Sequence, residues 1–461
     1  MLFFIEYIEK IGTILWMPVM LIVLTGSSLI LSVKFRFLQI FKVKYIYEET
    51  VKTLFNKNKR QKNKTISPFQ AVSTALAGTM GVGNIAGVAT AIAAGGAGAV
   101  FWMWISAFLC MILKYCEVVL AQLYKIPKSK TKNDFIGGPM YYISNGIKSK
   151  KLAVLFSVFC IFSSFGIGNI SQSNTVAEAV ENAFGISKLF TGVFLALITA
   201  AVIIGGVRRI FSFTSKLIPV MSIFYMIIAV TVIIFNIENL FDSLKMIFTE
   251  AFSLRQVGGG VLGFTISRAV RFGVSRGVFT NEAGLGSASI AHAAADTDSP
   301  VKQGMWGIFE VFFDTIVSCT LTALAILTAD AHRITGLDGI NMTAEAFNTV
   351  FGEFSGVFLS VAIMLFAIAT LVSWNFYGEC CVLYLFKNSV LSVRKKAVNI
   401  YKIVFVVLIA AGAAANIKIV WSLSDIFNVL MALPNIIAVF MLRSEVYAET
   451  VKYLQKKLKN Q

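Results

Sequence analysis

The sequence predicts an all-α polytopic membrane protein folded as one transmembrane domain over residues 1–461. Three observations carry that prediction. The chain is 57% hydrophobic and 14% charged, with a mean hydropathy of +0.77. A soluble chain of this length would divide into domains that each expose charge, so it could not be this apolar. Apolar runs of roughly 20 residues, the length that crosses a hydrocarbon core, recur from Gly12 to Leu442. Two of these runs are interrupted by glycine, amide and charged residues, which a lipid-facing helix does not tolerate without a reason.

Eleven spans are predicted where apolar stretches meet charge or turn residues. The first, Gly12–Val33, follows Glu6 and Glu9 instead of a basic leader and precedes basic charge instead of a small-residue cleavage site. It is therefore read as a retained span, not a cleaved signal. Ser67–Ala94 is glycine-rich. Gly98–Tyr124, Leu152–Val176, Leu189–Val207 and Leu217–Phe235 are uninterrupted. A broken span lies within Gly258–Ala295, and Val301–Ala329, Val357–Phe386, Ala397–Ala415 and Val420–Leu442 complete the set.

The formal charge of +17 would suggest nucleic acid in a soluble chain. Here it reads as topology. Alternate loops divide the 41 Lys and Arg residues unevenly: thirty fall on one side, in 34–64, 125–151, 208–216, Lys302, 387–396 and 443–461, against six on the other. Positive charge is retained in the cytoplasm, which places the N-terminus outside and the C-terminus inside. The same lysines face anionic membrane lipid, and little basic charge is left for nucleic acid. All six cysteines fall within predicted helices and are read as small apolar packing residues.

The second span crowds Gly78, Gly81, Gly83, Gly87, Gly95, Gly96 and Gly98 around Asn84. Each glycine costs a helix about 1 kcal/mol against alanine. Either the glycines admit close helix packing, or the helix unwinds near Gly78–Gly83 and its freed backbone groups line a site at mid-membrane depth. The later run contains Arg268, Arg271 and Arg276, so it is not one lipid-facing helix. A break at Asn281–Gly286 explains the Asn-Glu pair flanked by glycines and leaves the arginines in an outer vestibule. A break at Gly258–Gly263 would instead send them to the cytoplasm. Interrupted segments at matching positions of two five-helix halves point to an inverted-repeat secondary transporter. The halves are read as 66–235 and 248–442, with 12–33 as an extra N-terminal helix.

From Phe69 to Asn435 the chain resembles the alanine or glycine:cation symporters, also called sodium:alanine symporters, of the amino-acid/polyamine/organocation superfamily. The resemblance is carried by GTMGVGNIAGVATAI, KYCEVVLA, GGPMYYI, GNISQSN, RFGVSRGVFTNEAGLGSASIAHAAA, FFDTIVSCTLTAL, SWNFYGE and MALPN. It implies a leucine-transporter-like fold in which Gly81–Asn84 and Phe279–Gly286 are the two helix breaks. Backbone near Thr79 and Gly83 would then receive a substrate carboxylate, supported by Asn84. Gln172, Asn174, Phe279, Thr280, Asn281, Thr370 and Trp374 would face the substrate, with Phe279 and Trp374 capping a pocket for a small side chain. The carbonyls of Ala77 and Met80 with Thr370 would hold sodium, a hard cation that takes oxygen ligands. One departure stands out: Ala369 occupies the place where a second hydroxyl is expected beside Thr370.

The remaining polar residues are read individually. Lys114 and Glu117, at i and i+3, are expected to pair near a cytoplasmic helix end. Asp314 serves either a cation or a neighbouring helix, and Glu282 either caps a half-helix or couples protons. His292 and His332 lie near opposite membrane faces. GGPMYYI lacks the lysine and serine of a phosphate-binding loop and is read as a packed hinge. The expected function is sodium-coupled symport of alanine or glycine across the plasma membrane by alternating access. Proton coupling is the alternative, and no nucleophile–base or metal arrangement indicates an enzyme.

Overall fold

The computed structural model of the chain describes residues 19–55, 65–129, 132–252, 264–415 and 417–459. The start of the first predicted span and the alternative break at Gly258–Gly263 lie outside the described residues. The principal helices are α1 Leu21–Lys34, α2 Pro68–Thr79, α3 Ala86–Gly95, α4 Gly98–Leu123, α5 Pro139–Asn145, α6 Lys150–Phe165, α7 Ser171–Phe184, α8 Lys188–Ile203 and α9 Gly206–Phe235. They continue with α10 Leu240–Ala251, α11 Phe264–Asn281, α12 Ser287–Ala293, α13 Pro300–Val311, α14 Thr320–Thr328, α15 Gly339–Phe351, α16 Ser355–Leu385, α17 Leu391–Ala413 and α18 Ile417–Lys459. An antiparallel hairpin of β1 Ile126–Ser129 and β2 Lys132–Ile136 joins α4 to α5.

Among the described residues, seven helical stretches are long and apolar enough to cross a membrane. The other four predicted spans fall short for separate reasons. The first begins outside the described residues, α8 has only 16 residues, and the two broken spans are divided into α2 and α3 and into α11 and α12. Large apolar side chains stand in the open on α8 and α9, with Leu197 66%, Val220 62% and Phe235 73% exposed. Such a belt suits contact with lipid. The ionisable residues Lys114, Glu117, His292, Glu310 and Asp314 are instead fully buried inside the bundle.

The two broken helices cross. Ser67 starts α2 by accepting the Gln70 amide while the Gln70 side chain accepts the Ser67 amide, and Pro68 opens the first turn. The Asp296 amide, just past α12, donates to the Ile66 carbonyl just before α2 at 2.9 Å. Thus α2 lies beside α12. At the other end Gly95 of α3 meets Phe272 and the Arg268 carbonyl of α11. The first half of each broken helix therefore runs beside the second half of the other, and α4 and α13 flank the pair.

Two described helices of ten or more residues lie outside the predicted spans. α10 and α15 are 12 and 13 residues long, and polar residues interrupt each of them at helical spacing, so neither forms a continuous apolar run. The fourth and eighth predicted spans contain π-helical turns, Gly166–Ile170 between α6 and α7 and Phe312–Cys319 between α13 and α14. Both abut the helix breaks, the kind of position at which such turns concentrate.

Candidate functional site

The first break begins where Met80 leaves the helix (ψ 87°) and Gly81 is extended (φ −127°), followed by a single tight turn at Val82–Asn84. Asn84 holds this turn together. Its Oδ1 accepts the Gly81 amide at 3.0 Å, and its Nδ2 donates to Oδ1 of Asp314 at 2.8 Å and to the Asp314 carbonyl at 3.1 Å. The Val82 amide donates to Oε1 of Gln172 at 3.3 Å. The Asn84 and Ile85 amides are taken by Gly81 and Val82 carbonyls. Among the described residues the Gly83 amide has no partner, nor do the carbonyls of Ala77 and Met80. These are the orphan groups that an interrupted helix offers to a ligand.

The second break spans Glu282–Gly286, the position that the Asn-Glu pair and its flanking glycines indicate. Gly284 (φ 92°) and Gly286 (φ 79°) adopt left-handed conformations that favour glycine. A Cβ on Gly286 would also come within 2.5 Å of Pro139. Glu282 takes the same region (φ 53°) with a full side chain, a strain of roughly 1–2 kcal/mol. Its carboxylate is held by Oγ of Ser287 at 2.5 Å and by Nε1 of Trp374 at 3.1 Å, so it ties the break to α16. The Gly284 amide donates to Oε1 of Glu117 at 2.9 Å, and Nδ2 of Asn435 donates both to that oxygen at 2.5 Å and to the Gly284 carbonyl at 2.8 Å. The Tyr142 hydroxyl in turn donates to Oδ1 of Asn435.

A pocket lies between the breaks. Of the expected substrate residues, Thr79, Gly83, Gln172, Phe279, Thr280, Thr370 and Trp374 line it, joined by Gly78, Gly81, Ile167 and Glu282. Asn84 and Asn281 stand behind this wall. The Asn281 side chain accepts the Ala283 amide at 3.0 Å and donates to Oγ1 of Thr315 at 3.3 Å, so its role here is to shape the break. Ala77 and Met80 sit in the same buried apolar cluster as Ala369. Thr370 donates its hydroxyl to the Phe366 carbonyl at 3.1 Å. The cavity between these walls is only about 10 Å³. That is room for roughly one water. An amino acid therefore requires the walls to part.

Two expectations need correction, the Lys114–Glu117 pair and the place of Asn174, and the contacts of His292 and GGPMYYI are now defined. Lys114 and Glu117 do not pair: α13 runs along α4, and Nζ of Lys114 lies 3.3 Å from Oε1 of Glu310, while Glu117 is committed to the second break. His292 is fully buried, 2.8 Å from Oε2 of Glu310 through Nε2 and 2.7 Å from Gln303 through Nδ1. Asn174 does not face the pocket, because its amide donates to the carbonyls of Gly412, Ala413 and Ala415 at the end of α17. GGPMYYI runs from the turn at Gly137 and Gly138 into α5 and packs on α12, where a Cβ at Gly137 would come 2.6 Å from that of Ala293. Among the further contributors are Gly81, as pocket wall, and Gly168, which leaves room for the Trp374 indole. The glycines in their motifs are the sequence signal for both.

Crossed broken helices with a small polar pocket between their unwound segments define a secondary transporter. The sequence profile of the sodium:alanine symporter family matches residues 1–461, and the chain belongs to that family. It is an amino-acid symporter of the membrane, not an enzyme. It is 39% identical to the sodium/alanine symporter AgcS of Methanococcus maripaludis, over 97% of this chain and 96% of that one. It is 38% identical to the probable sodium/glutamine symporter GlnT of Bacillus subtilis, over 98% and 91%. The solved structure of MhsT in complex with L-phenylalanine superposes with a TM-score of 0.60 at 13% identity, covering 84% of this chain and 93% of that chain. The fold is leucine-transporter-like, an inverted repeat of five plus five helices with one extra N-terminal helix.

Proposed function

We propose that this symporter carries alanine and/or glycine inward across the plasma membrane, coupled to sodium, by alternating access. The N-terminus lies outside, the C-terminus lies in the cytoplasm, and 66–235 and 248–442 act as the moving repeats. The reading rests chiefly on the pocket between the two helix breaks, where Phe279 and Trp374 stand beside the unwound backbone at Gly81 and Gly83. The unpartnered Gly83 amide supports carboxylate binding, and the carbonyls of Ala77 and Met80 with the Thr370 hydroxyl supply oxygen for sodium. The relative named for glutamine sets the competing substrate.

A ligand that binds only the folded protein raises its unfolding temperature. Purified protein in detergent is expected to be stabilised by alanine or glycine in sodium and not in choline, with little response to glutamine. Stabilisation by glutamine over alanine, or equal stabilisation without sodium, contradicts the proposal. Proton coupling has one favouring observation, that the Glu282 carboxylate lines the pocket. In that case the stabilisation would follow pH instead of sodium.

A further inference from the structure

We infer that the groove between α1 and α18 holds an anionic phospholipid, with an acyl chain in the groove and the phosphate on Lys34 and Arg443. The groove encloses about 530 Å³ and is walled by apolar residues that include Ile22 and Ile30 of α1 and Ile436, Phe440 and Met441 of α18. Gly26 lines it, and a Cβ built there meets nothing within 4 Å, so a side chain at this position would project into open space. Apart from Arg443 at its end, Ser27 is the one polar residue among the described residues that line it, and its hydroxyl is spent on the Val23 and Leu24 carbonyls of its own helix. Such a wall accepts hydrocarbon and offers nothing to a polar ligand.

The end of the groove is different. Arg443 lines it, stacks over Phe440 with 5.1 Å to the ring centroid, and donates to the Phe440 carbonyl. Lys34 reaches the next residue, donating to Oγ of Ser444 at 3.0 Å. Among the described residues neither has a carboxylate within ion-pair distance, and the neighbouring Glu445 accepts the Tyr124 hydroxyl at 2.7 Å. The same tail shows the contrast, since Lys457 is paired with Glu48 at 3.0 Å and Glu49 at 2.7 Å. Two neighbouring cations without a counter-charge, at the head of an apolar groove, match a phosphate esterified to acyl chains. A second copy docked by two-fold symmetry would bring the same basic pair toward itself. Lys34 and Arg443 also open two of the segments assigned to the basic side, so the inference shares that topology with the proposed function. It does not depend on the transport reading.

The test is native mass spectrometry of the delipidated full-length protein with dioleoyl phosphatidylglycerol or dioleoyl phosphatidylethanolamine. The wild type should retain phosphatidylglycerol in preference. Arg443→Gln and Lys34→Gln should each weaken that binding about fivefold, the value of one basic residue near a lipid surface. Gly26→Leu should fill the groove and remove the bound lipid, with an unfolding temperature at or above that of the wild type. Equal retention of the two lipids, or phosphatidylglycerol still held by Gly26→Leu, overturns the inference. A wild-type dimer that Gly26→Leu splits would assign the groove to a second copy and overturn it as well.

Discussion

Lys114 is a charge without access to water, and what surrounds it decides whether the core can fold. Its ammonium lies against Glu310, whose other oxygen meets His292. Removing one partner of a buried pair leaves the other uncompensated and costs about 3–5 kcal/mol. Lys114→Met should therefore lower the thermal unfolding temperature sharply, and adding Glu310→Gln should recover much of it, because the amide still reaches His292 without a charge. A double variant as unstable as the single one would contradict this account. The sequence shows a lone lysine in an apolar run, but its partner lies 196 residues away. Glu117 at i+3 is the only candidate visible along the chain. Trp374 is legible as a pocket residue, whereas its bond to Glu282 depends on the left-handed backbone of the second break and is not.

The helix breaks are the most legible elements, since glycine and amide residues weaken an apolar helix and have little cause to cluster in one that stays intact. The π-helical turns beside them leave no such mark, because one extra residue per turn does not alter composition. Likewise α10 and α15 have apolar faces too short to register as spans. Gly81 offers a direct test of the first break. Its backbone is extended and open to any residue, but an alanine methyl would come 3.0 Å from Oγ1 of Thr370 and 3.2 Å from Oε1 of Gln172. Gly81→Ala should reduce alanine uptake at least tenfold while costing about 1–3 kcal/mol of stability, the usual range for overpacking. Uptake at the wild-type rate would mean that substrate does not pass between Thr370 and Gln172.

For the protein as a unit, the uneven spread of lysine and arginine along the chain suggests an orientation, but it does not say which surfaces carry the charge. The pocket is only partly legible, because it forms where residues from α2, α7, α11 and α16 converge. Seven of its predicted members are there. Asn84 and Asn281, which stand behind the wall, are expected in it by residue type, and type alone does not tell a ligand from a group that braces the backbone. All six cysteines are buried, so a thiol introduced at the surface reports its side of the membrane without background. A cysteine at Lys452, whose side chain is 80% exposed, should react with an impermeant maleimide only in inside-out vesicles. One at the exposed Thr335 should react only in intact cells, and the reverse pattern would invert the topology. The most direct measurement is alanine uptake into proteoliposomes containing the purified protein, with sodium and proton gradients imposed separately. An inward sodium gradient should concentrate alanine above its external level, and collapse of that gradient should release it. No accumulation under sodium, or accumulation driven by a pH gradient alone, would contradict sodium-coupled symport.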